Sequence, residues 1–494
     1  MRFGRLTAAT FIASLIFTAS AQAMTARSAV GWGFNGKAEA GAGFISDRVL
    51  EPVGVLDLST VKTVAAAGFW GAALLRDGTV KTWGGNNDGQ LGDGTTDMKA
   101  TPLTVAGLGR VKQIATAGEH FIALLADGTV MTWGSNHFGQ LGNGTDGGGK
   151  EACSSLCNST RPIPVVGLSG VVAVFAGGAS DAALLSDGTI MAWGENKSGQ
   201  LGDGTTIQKD RPTRAQFTNV KTLALGGEAT LGGHMLVLGK DGTLQSVGEN
   251  TSGQLGDGSS VRRSLVPVPV RLSGVRAISA SWTHSIAVLK DGSLHSWGSN
   301  RFGELGTSTA TTCLEHALPC AKTPLLVPGL HKVRAISAGY GFSLAVSAHR
   351  AYAWGHNRYG QLGDGTRTDR STPAPVNLPS EVAGISAGNT HAYAVLRATP
   401  PAPDIVLTPG PGSLTVSWQP ALEATAWTVA YRPVTDPAVK FSAKVKLATS
   451  TLSFTITGLE QRPYEVSIVE VPFPGTFGKK VVSGTPQPLA AAVP

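Results

Sequence analysis

Charge is scarce in this chain: only 15% of its 494 residues are Asp, Glu, Lys or Arg. The 40 basic residues are spread along the sequence, with a formal net charge of +7. A nucleic-acid arm requires clustered cations, so no nucleic-acid partner is expected. Past the N-terminus, no segment approaches the roughly 18 uninterrupted apolar residues of a spanning helix. Long apolar stretches of 3.6-residue period are also missing, so helix content should be low. With 42% hydrophobic residues the chain can still bury a core, which argues against disorder.

Glycine, in contrast, is abundant. The 65 glycines are about twice ordinary usage, and without an every-third-residue period they exclude collagen. So much glycine with so little charge suits short strands joined by tight turns. At the N-terminus, Arg2 and Arg5 precede an apolar stretch from Leu6 to Phe17, and Ala21-Gln22-Ala23 follows with small residues where signal peptidase reads. Residues 1–23 therefore read as a secretory signal on a protein destined for the periplasm, cell surface or medium. In such an oxidising compartment the four cysteines, Cys153 with Cys157 and Cys313 with Cys320, form two local disulfide candidates. Their Cys-x3-Cys and Cys-x6-Cys spacings match zinc sites poorly.

A Trp-Gly motif organises the chain. It recurs at Trp32, Trp83, Trp133, Trp193, Trp297 and Trp354, with a degenerate copy at Val247-Gly248. Successive spacings are 51, 50, 60, 54, 50 and 57 residues, a period that signals a propeller, solenoid or array. Within each period, two apolar runs flank an Asp-Gly dipeptide, as at Asp127-Gly128, which is a hairpin signal. After the Trp comes a glycine-rich stretch such as Asn136 to Thr145 carrying one leucine. The array begins at Val30-Gly31-Trp32-Gly33, a second half without its first. It ends at Ile385 to Leu396, a first half without its Trp-Gly. Two orphan halves complete one unit if the array closes on itself, which leaves no sheet edge open at a seam. The expected fold is all-β, a seven-bladed propeller with its last blade stitched from both ends of the array.

These motifs, with Gly-Gln/Glu-Leu-Gly loops at Gln90, Gln140, Gln200, Gln254, Glu304 and Gln361, resemble the regulator of chromosome condensation (RCC1) repeat, over about residues 27–398. The resemblance implies a seven-bladed propeller with four antiparallel strands per blade. It also brings two functional precedents: a nuclear exchange factor for a small GTPase, and exported bacterial propellers that inhibit β-lactamases. The leader fits the exported bacterial type.

Composition shifts at Thr399-Pro400-Pro401-Ala402-Pro403, which reads as a stiff linker over 399–404. Alternating runs such as Leu414 to Trp418 and Tyr464 to Ile468 then predict a small β-sandwich over 405–490. It resembles a fibronectin type III domain, with Trp418 and Leu459 at core positions and Tyr464 as the corner tyrosine, and such modules act as spacers or docking pieces.

Candidate chemistry is sparse. His120, His234 and His284 each lie seven residues before a hairpin Asp, which invites a metal ring. Trp70 and Ser180 interrupt the series, so each histidine is read as bonding a neighbouring backbone group. Asp93, Asp203, Asp257 and Asp364 sit in Gly-Asp-Gly segments. These lack the Gly-Lys-Ser/Thr of a nucleotide loop and the carboxylate ladder of a calcium loop, so each Asp is read as bonding its own turn. No nucleophile elbow or zinc-protease motif occurs. No cofactor, no metal and no catalysis are expected.

Two features point to recognition. The enlarged intervals hold the cysteine pairs in insertions 146–161 and 307–323, where a staple would pre-order a loop. The turn before each second strand also carries varied, exposed-type residues: Phe69 and Trp70, Glu119 and His120, Trp282, Tyr340 and Asn389. Gathered at one end of a ring, they would form a surface suited to hot-spot contacts. The function read from the sequence is a non-catalytic scaffold, monomeric, that binds another protein through one propeller face. The alternatives are a secreted guanine-nucleotide exchange factor and a carbohydrate-binding surface protein.

Overall fold

Each Asp-Gly pair does locally what its chemistry allows. The Asp127 carboxylate accepts from the Thr129 amide at 2.9 Å while Gly128 takes φ of +93°, closing a hairpin between His120–Leu125 and Val130–Gly134. The third strand then turns through its glycine-rich loop. Asn136 is fully buried and its side chain pins that loop, accepting from the Leu141 amide and donating to the Thr145 carbonyl, both at 2.9 Å. The Gly-Asp-Gly aspartates cap their own turns as expected, Asp93 accepting from the Thr95 amide at 2.9 Å. Gly134 has φ of +98°, and a side chain there would run into the Glu119 carbonyl.

In this computed structural model the described residues are 28–145, 158–228, 232–309, 311–313 and 318–397, followed by seven strands between 405 and 484. Among them every regular element is a strand. Blade 1 comprises Val61–Ala66, Trp70–Leu75, Val80–Gly84 and Lys99–Thr104, paired in that order. Blades 2 to 6 repeat the plan, from Val111–Ala117 through Arg370–Pro375. Blade 7 is the stitched one: Val382–Ala387 and His391–Leu396 come from the end of the array, Ala29–Phe34 and Arg48–Gly54 from its start. The seam is antiparallel and continuous, with Ala29 opposite Val395 and Gly33 opposite His391. Seven sheets thus close into the expected ring.

Between blades, the Trp of one third strand reaches the loop of the preceding blade. The indole Nε1 of Trp133 donates to the Gln90 carbonyl at 3.0 Å, Trp193 to Gln140 at 2.9 Å, Trp297 to Gln254 at 2.9 Å and Trp354 to Glu304 at 2.9 Å. Trp32 donates to Gln361 and Trp83 to Glu39, both at 2.8 Å, so the device runs unbroken across the stitched blade. All six indoles are at most 1% exposed, uniting large apolar burial with a satisfied N–H. Glycine is required where the loop meets the ring: Gly92 has φ of +71° and an added Cβ would lie 2.7 Å from Trp133 Nε1.

The chain divides into two units, the propeller (Ala26–Ala398) and a second unit that begins at Thr399. The second has a three-stranded sheet, Ile405–Gly410, Ser413–Trp418 and Ser453–Thr457, in that order. Its four-stranded sheet runs Val445–Ala448, Ala424–Pro433, Tyr464–Pro472, Lys479–Gly484. Val416 and Ile456 are buried, at 0% and 3% exposure, while the Thr415 and Thr455 hydroxyls meet on the other side at 2.9 Å. That is the alternation of a strand pair with one covered face. Residues 1–23, the Cys153–Cys157 pair, the linker, Leu459 and the side chains of Trp418 and Tyr464 lie outside the described residues.

Candidate functional site

The first strand of each blade lines the axis. Its small residues, Ala65, Ala115, Ala224 and Ala280 among them, surround a cavity of about 650 Å³. The turns from first to second strand form its mouth, and five of the expected residues meet there, each from a different blade: Phe69, Glu119, Trp282, Tyr340 and Asn389. Phe69 is 42% exposed and meets Phe34 edge-on at 6.0 Å. The Trp282 and Tyr340 rings pack at 4.2 Å, tilted by 46°, and join blades 5 and 6 in one aromatic ledge. The Asn389 amide donates to the Ala67 carbonyl at 3.1 Å, joining blade 7 to blade 1.

Trp70 and His120 are corrections. Both were expected on exposed turns, and both are fully buried. Each is the first residue of a second strand, one position past the turn, and that single step carries the side chain from the mouth into the gap between blades. Trp70 donates from Nε1 to the Gly118 carbonyl at 3.1 Å and packs on Phe121. His120 Nε2 meets Asp181 Oδ1 at 2.9 Å in the next blade.

The histidine series also differs from the expected backbone contacts. Nε2 of His234 and of His284 lies 2.8 Å from the hydroxyl of Ser285 and Ser343, respectively, in the following blade. Only His391 takes a backbone partner, the Trp70 carbonyl at 3.2 Å. Ser285 and Ser343 donate their protons to the Gln254 and Glu304 carbonyls, so each must accept from the imidazole. The imidazoles are therefore the neutral Nε2–H tautomer, and burial pushes both His234 and His284 down to about 3. A serine whose proton is committed to a carbonyl, beside an imidazole that donates to it, is not an activated nucleophile. These pairs are inter-blade fasteners.

At the mouth, Glu119 Oε2 accepts from Gln90 Nε2 at 2.5 Å. Burial, with the nearby charge of Asp88, raises its carboxyl to about 7. Asp88, Phe138, Gln140 and Glu228 also line the cavity, and sequence reasoning missed all four. Asp88, Phe138 and Gln140 sit on the repeat's own loops, which read as purely structural, whereas Glu228 ends the first strand of blade 4, at the turn position that the other candidates share. Of the stapled insertions, Cys313 and Cys320 are disulfide-bonded. Thr311–Thr312 there pairs with the outermost strand of blade 5 as a fifth strand, away from the axial cavity.

A ring of four-stranded blades with Trp-to-loop fasteners and an axial mouth defines a repeat propeller. Residues 77–124, 127–184, 187–231, 241–288, 291–346 and 349–395 match the Regulator of chromosome condensation (RCC1) repeat, and the chain belongs to that family. Among curated relatives, the ultraviolet-B receptor UVR8 of Arabidopsis thaliana is 30% identical over 253 residues, 47% of this chain and 53% of the receptor. The secretion-regulating guanine nucleotide exchange factor of Bos taurus is 30% identical over 206 residues, 39% of this chain and 42% of that protein. The chain thus spans about half the length of the curated relatives it matches. Of solved structures, Prp20p from Saccharomyces cerevisiae, described with its binding to Gsp1p and histones, superposes with a TM-score of 0.66 at 22% identity, covering 76% of this chain and 92% of that one. Human WBSCR16 superposes at 0.65 with 23% identity, covering 75% and 100%. At these identities the likeness shows the fold alone.

Proposed function

We propose that the protein is an exported, non-catalytic scaffold that binds another protein through the mouth of its propeller, with a fibronectin type III-like second unit as spacer or docking piece. The observation that carries this reading is the convergence of Phe69, Glu119, Trp282, Tyr340 and Asn389 from five blades on one opening, where aromatic side chains offer rigid contact area. The leader-like residues 1–23 support export. Pulldown from periplasmic or culture fluid with mass spectrometry tests it. The expected result is a discrete partner, lost at least tenfold with Phe69→Ala and Trp282→Ala together. Recovery of the same partner by that double variant would remove this face from the reading. Trp70, buried between blades, is not a usable probe.

Guanine-nucleotide exchange is the second reading, supported by the name of the bovine relative. It predicts faster release of a fluorescent GDP analogue from a small GTPase, unchanged when Trp282 is substituted only if the exchange surface lies elsewhere.

A further inference from the structure

The chemistry of the mouth is lopsided in a way that the net charge of the chain does not anticipate. The protein carries 40 basic against 33 acidic residues. Yet the cavity is lined by three carboxylates, Asp88, Glu119 and Glu228, and among the described residues by no lysine or arginine. Glu119 is sequestered enough that burial and Asp88 make its negative charge costly, a cost that an incoming cation would offset.

A second, independent feature lies one blade on. Gln90, Gln200 and Gln361 each use their side-chain Nε2, on Glu119, Glu195 and His356, respectively. Gln140 is 3% exposed and lines the cavity. Its Oε1 accepts from the Phe138 amide at 2.8 Å, but its Nε2 has no partner among the described residues. The Gln254 Nε2 is unpartnered too, yet only that of Gln140 lies on the cavity. The repeat accounts for the unpartnered Gln140 amide: the residue before the second strand is Glu119 in blade 2 but Ala179 in blade 3, so the slot that supplies Gln90 with a carboxylate acceptor supplies Gln140 with none. A nearly buried amide N–H that opens on a cavity wants a carbonyl oxygen. A carbonyl acceptor beside a cation describes a peptide segment better than a free inorganic ion.

We infer that the mouth receives a partner loop with an arginine or lysine at its tip. The side-chain cation lies against Asp88 and Glu119, a main-chain carbonyl accepts from Gln140 Nε2, and the flanks of the loop pack on the Trp282–Tyr340 ledge. The inference rests on the protein-binding reading and adds the chemistry of the partner. Arginine is the better fit, because its planar fork can engage two carboxylate oxygens at once.

Two disulfide-cyclised octapeptides, identical except for arginine or neutral citrulline at the tip, test it by fluorescence anisotropy against the full chain. The arginine peptide should bind at least tenfold tighter at low salt. That margin should shrink to less than threefold at 0.5 M salt, and likewise in Glu119→Gln and in Asp88→Asn at low salt, with thermal midpoints confirming that both variants fold. Gln140→Leu should weaken both peptides alike, because it removes a contact to the main chain. Equal binding of the two peptides, or binding of neither at millimolar concentration, overturns the inference. Should a pulldown partner depend on Trp282 yet ignore Glu119→Gln and Asp88→Asn, the scaffold reading stands and the cation is wrong. An arginine preference with no protein partner recovered would uphold the cation and remove the scaffold reading.

Discussion

Six of the seven contacts between neighbouring blades are fastened by an indole, and the one between blades 3 and 4 is not. There the third strand carries Val247, fully buried, and no indole faces the Gln200 carbonyl. The missing volume comes from the other side. An added Cβ at Gly142 would meet Trp193 Nε1 at 2.7 Å, but at the equivalent Gly202 it would meet Phe217 Cε2 at 2.9 Å. Phe217, 2% exposed and clustered with Val247 and Leu201, fills the place that an indole takes elsewhere. Ala215 stands beside it where the other blades have a valine; its amide donates to the Ile190 carbonyl as the Val105 amide does to Val80. The ring therefore requires the volume at every seam, whereas the indole hydrogen bond is dispensable at one.

The largest expected effects come from emptying either kind of seam. Trp133→Ala and Phe217→Ala should each cost ~3–5 kcal/mol, the range for large aromatic truncations in cores, read as a fall in denaturant midpoint. A loss below ~1 kcal/mol for Phe217→Ala would mean that its ring is not the substitute. Next comes the attempt to make the odd seam regular. Val247→Trp alone should overpack against Phe217 and cost ~1–3 kcal/mol. With Phe217→Leu, leucine being the residue that blades 4 and 6 carry there as Leu272 and Leu378, the pair should couple favourably. A double-mutant cycle with no coupling would show that the two side chains do not share one space.

This exchange across the seam also marks the limit of what the chain could disclose one residue at a time. The period of Trp-Gly and the orphan halves at Trp32 and Tyr393 led directly to the closed ring, because sheet pairing leaves one way to satisfy both edges. Val247 was recognisable as a degenerate copy. Its compensation was not, since Phe217 lies thirty residues earlier in another blade. At the mouth, Phe69, Glu119, Trp282, Tyr340 and Asn389 were legible as turn residues, while Trp70 and His120 failed by one position. The recurrence of histidine at 234, 284 and 391 in that same slot was the available signal that the slot is internal. Gln140 became conspicuous only against Ala179 of the next blade, which stands where blade 2 has Glu119.

The smallest effect, and the sharpest on the seams, is in pH. His234 and His284 are held near 3 and His391 near 4, each chiefly by burial. Below the unfolded value of 6.5 the unfolded chain therefore binds protons that the fold refuses. Each histidine then removes ~1.4 kcal/mol of stability per pH unit of acidification until its folded value is reached. Glu39, Glu119 and Glu195 act oppositely. Burial raises each to about 7, so between 7 and 4.5 the fold keeps protons that the unfolded chain releases, and acidification stabilises it. From 6.5 to 4.5 the two sets nearly offset, and stability should be flat. Below 4.5 these three carboxyls are protonated in both states while the histidines continue to act, joined by aspartates that their own turns hold low, such as Asp93, Asp203 and Asp364, so stability should drop steeply. His284→Gln keeps a donor for Ser343 and should flatten the acid limb by ~1.4 kcal/mol per pH unit. Glu195→Gln should leave that limb unchanged and tilt the plateau, stability then falling as pH drops from 6.5 to 4.5. Denaturant titrations at half-unit steps from pH 3.5 to 8 separate these slopes. An unchanged acid limb in His284→Gln would show that this seam already holds its histidine charged.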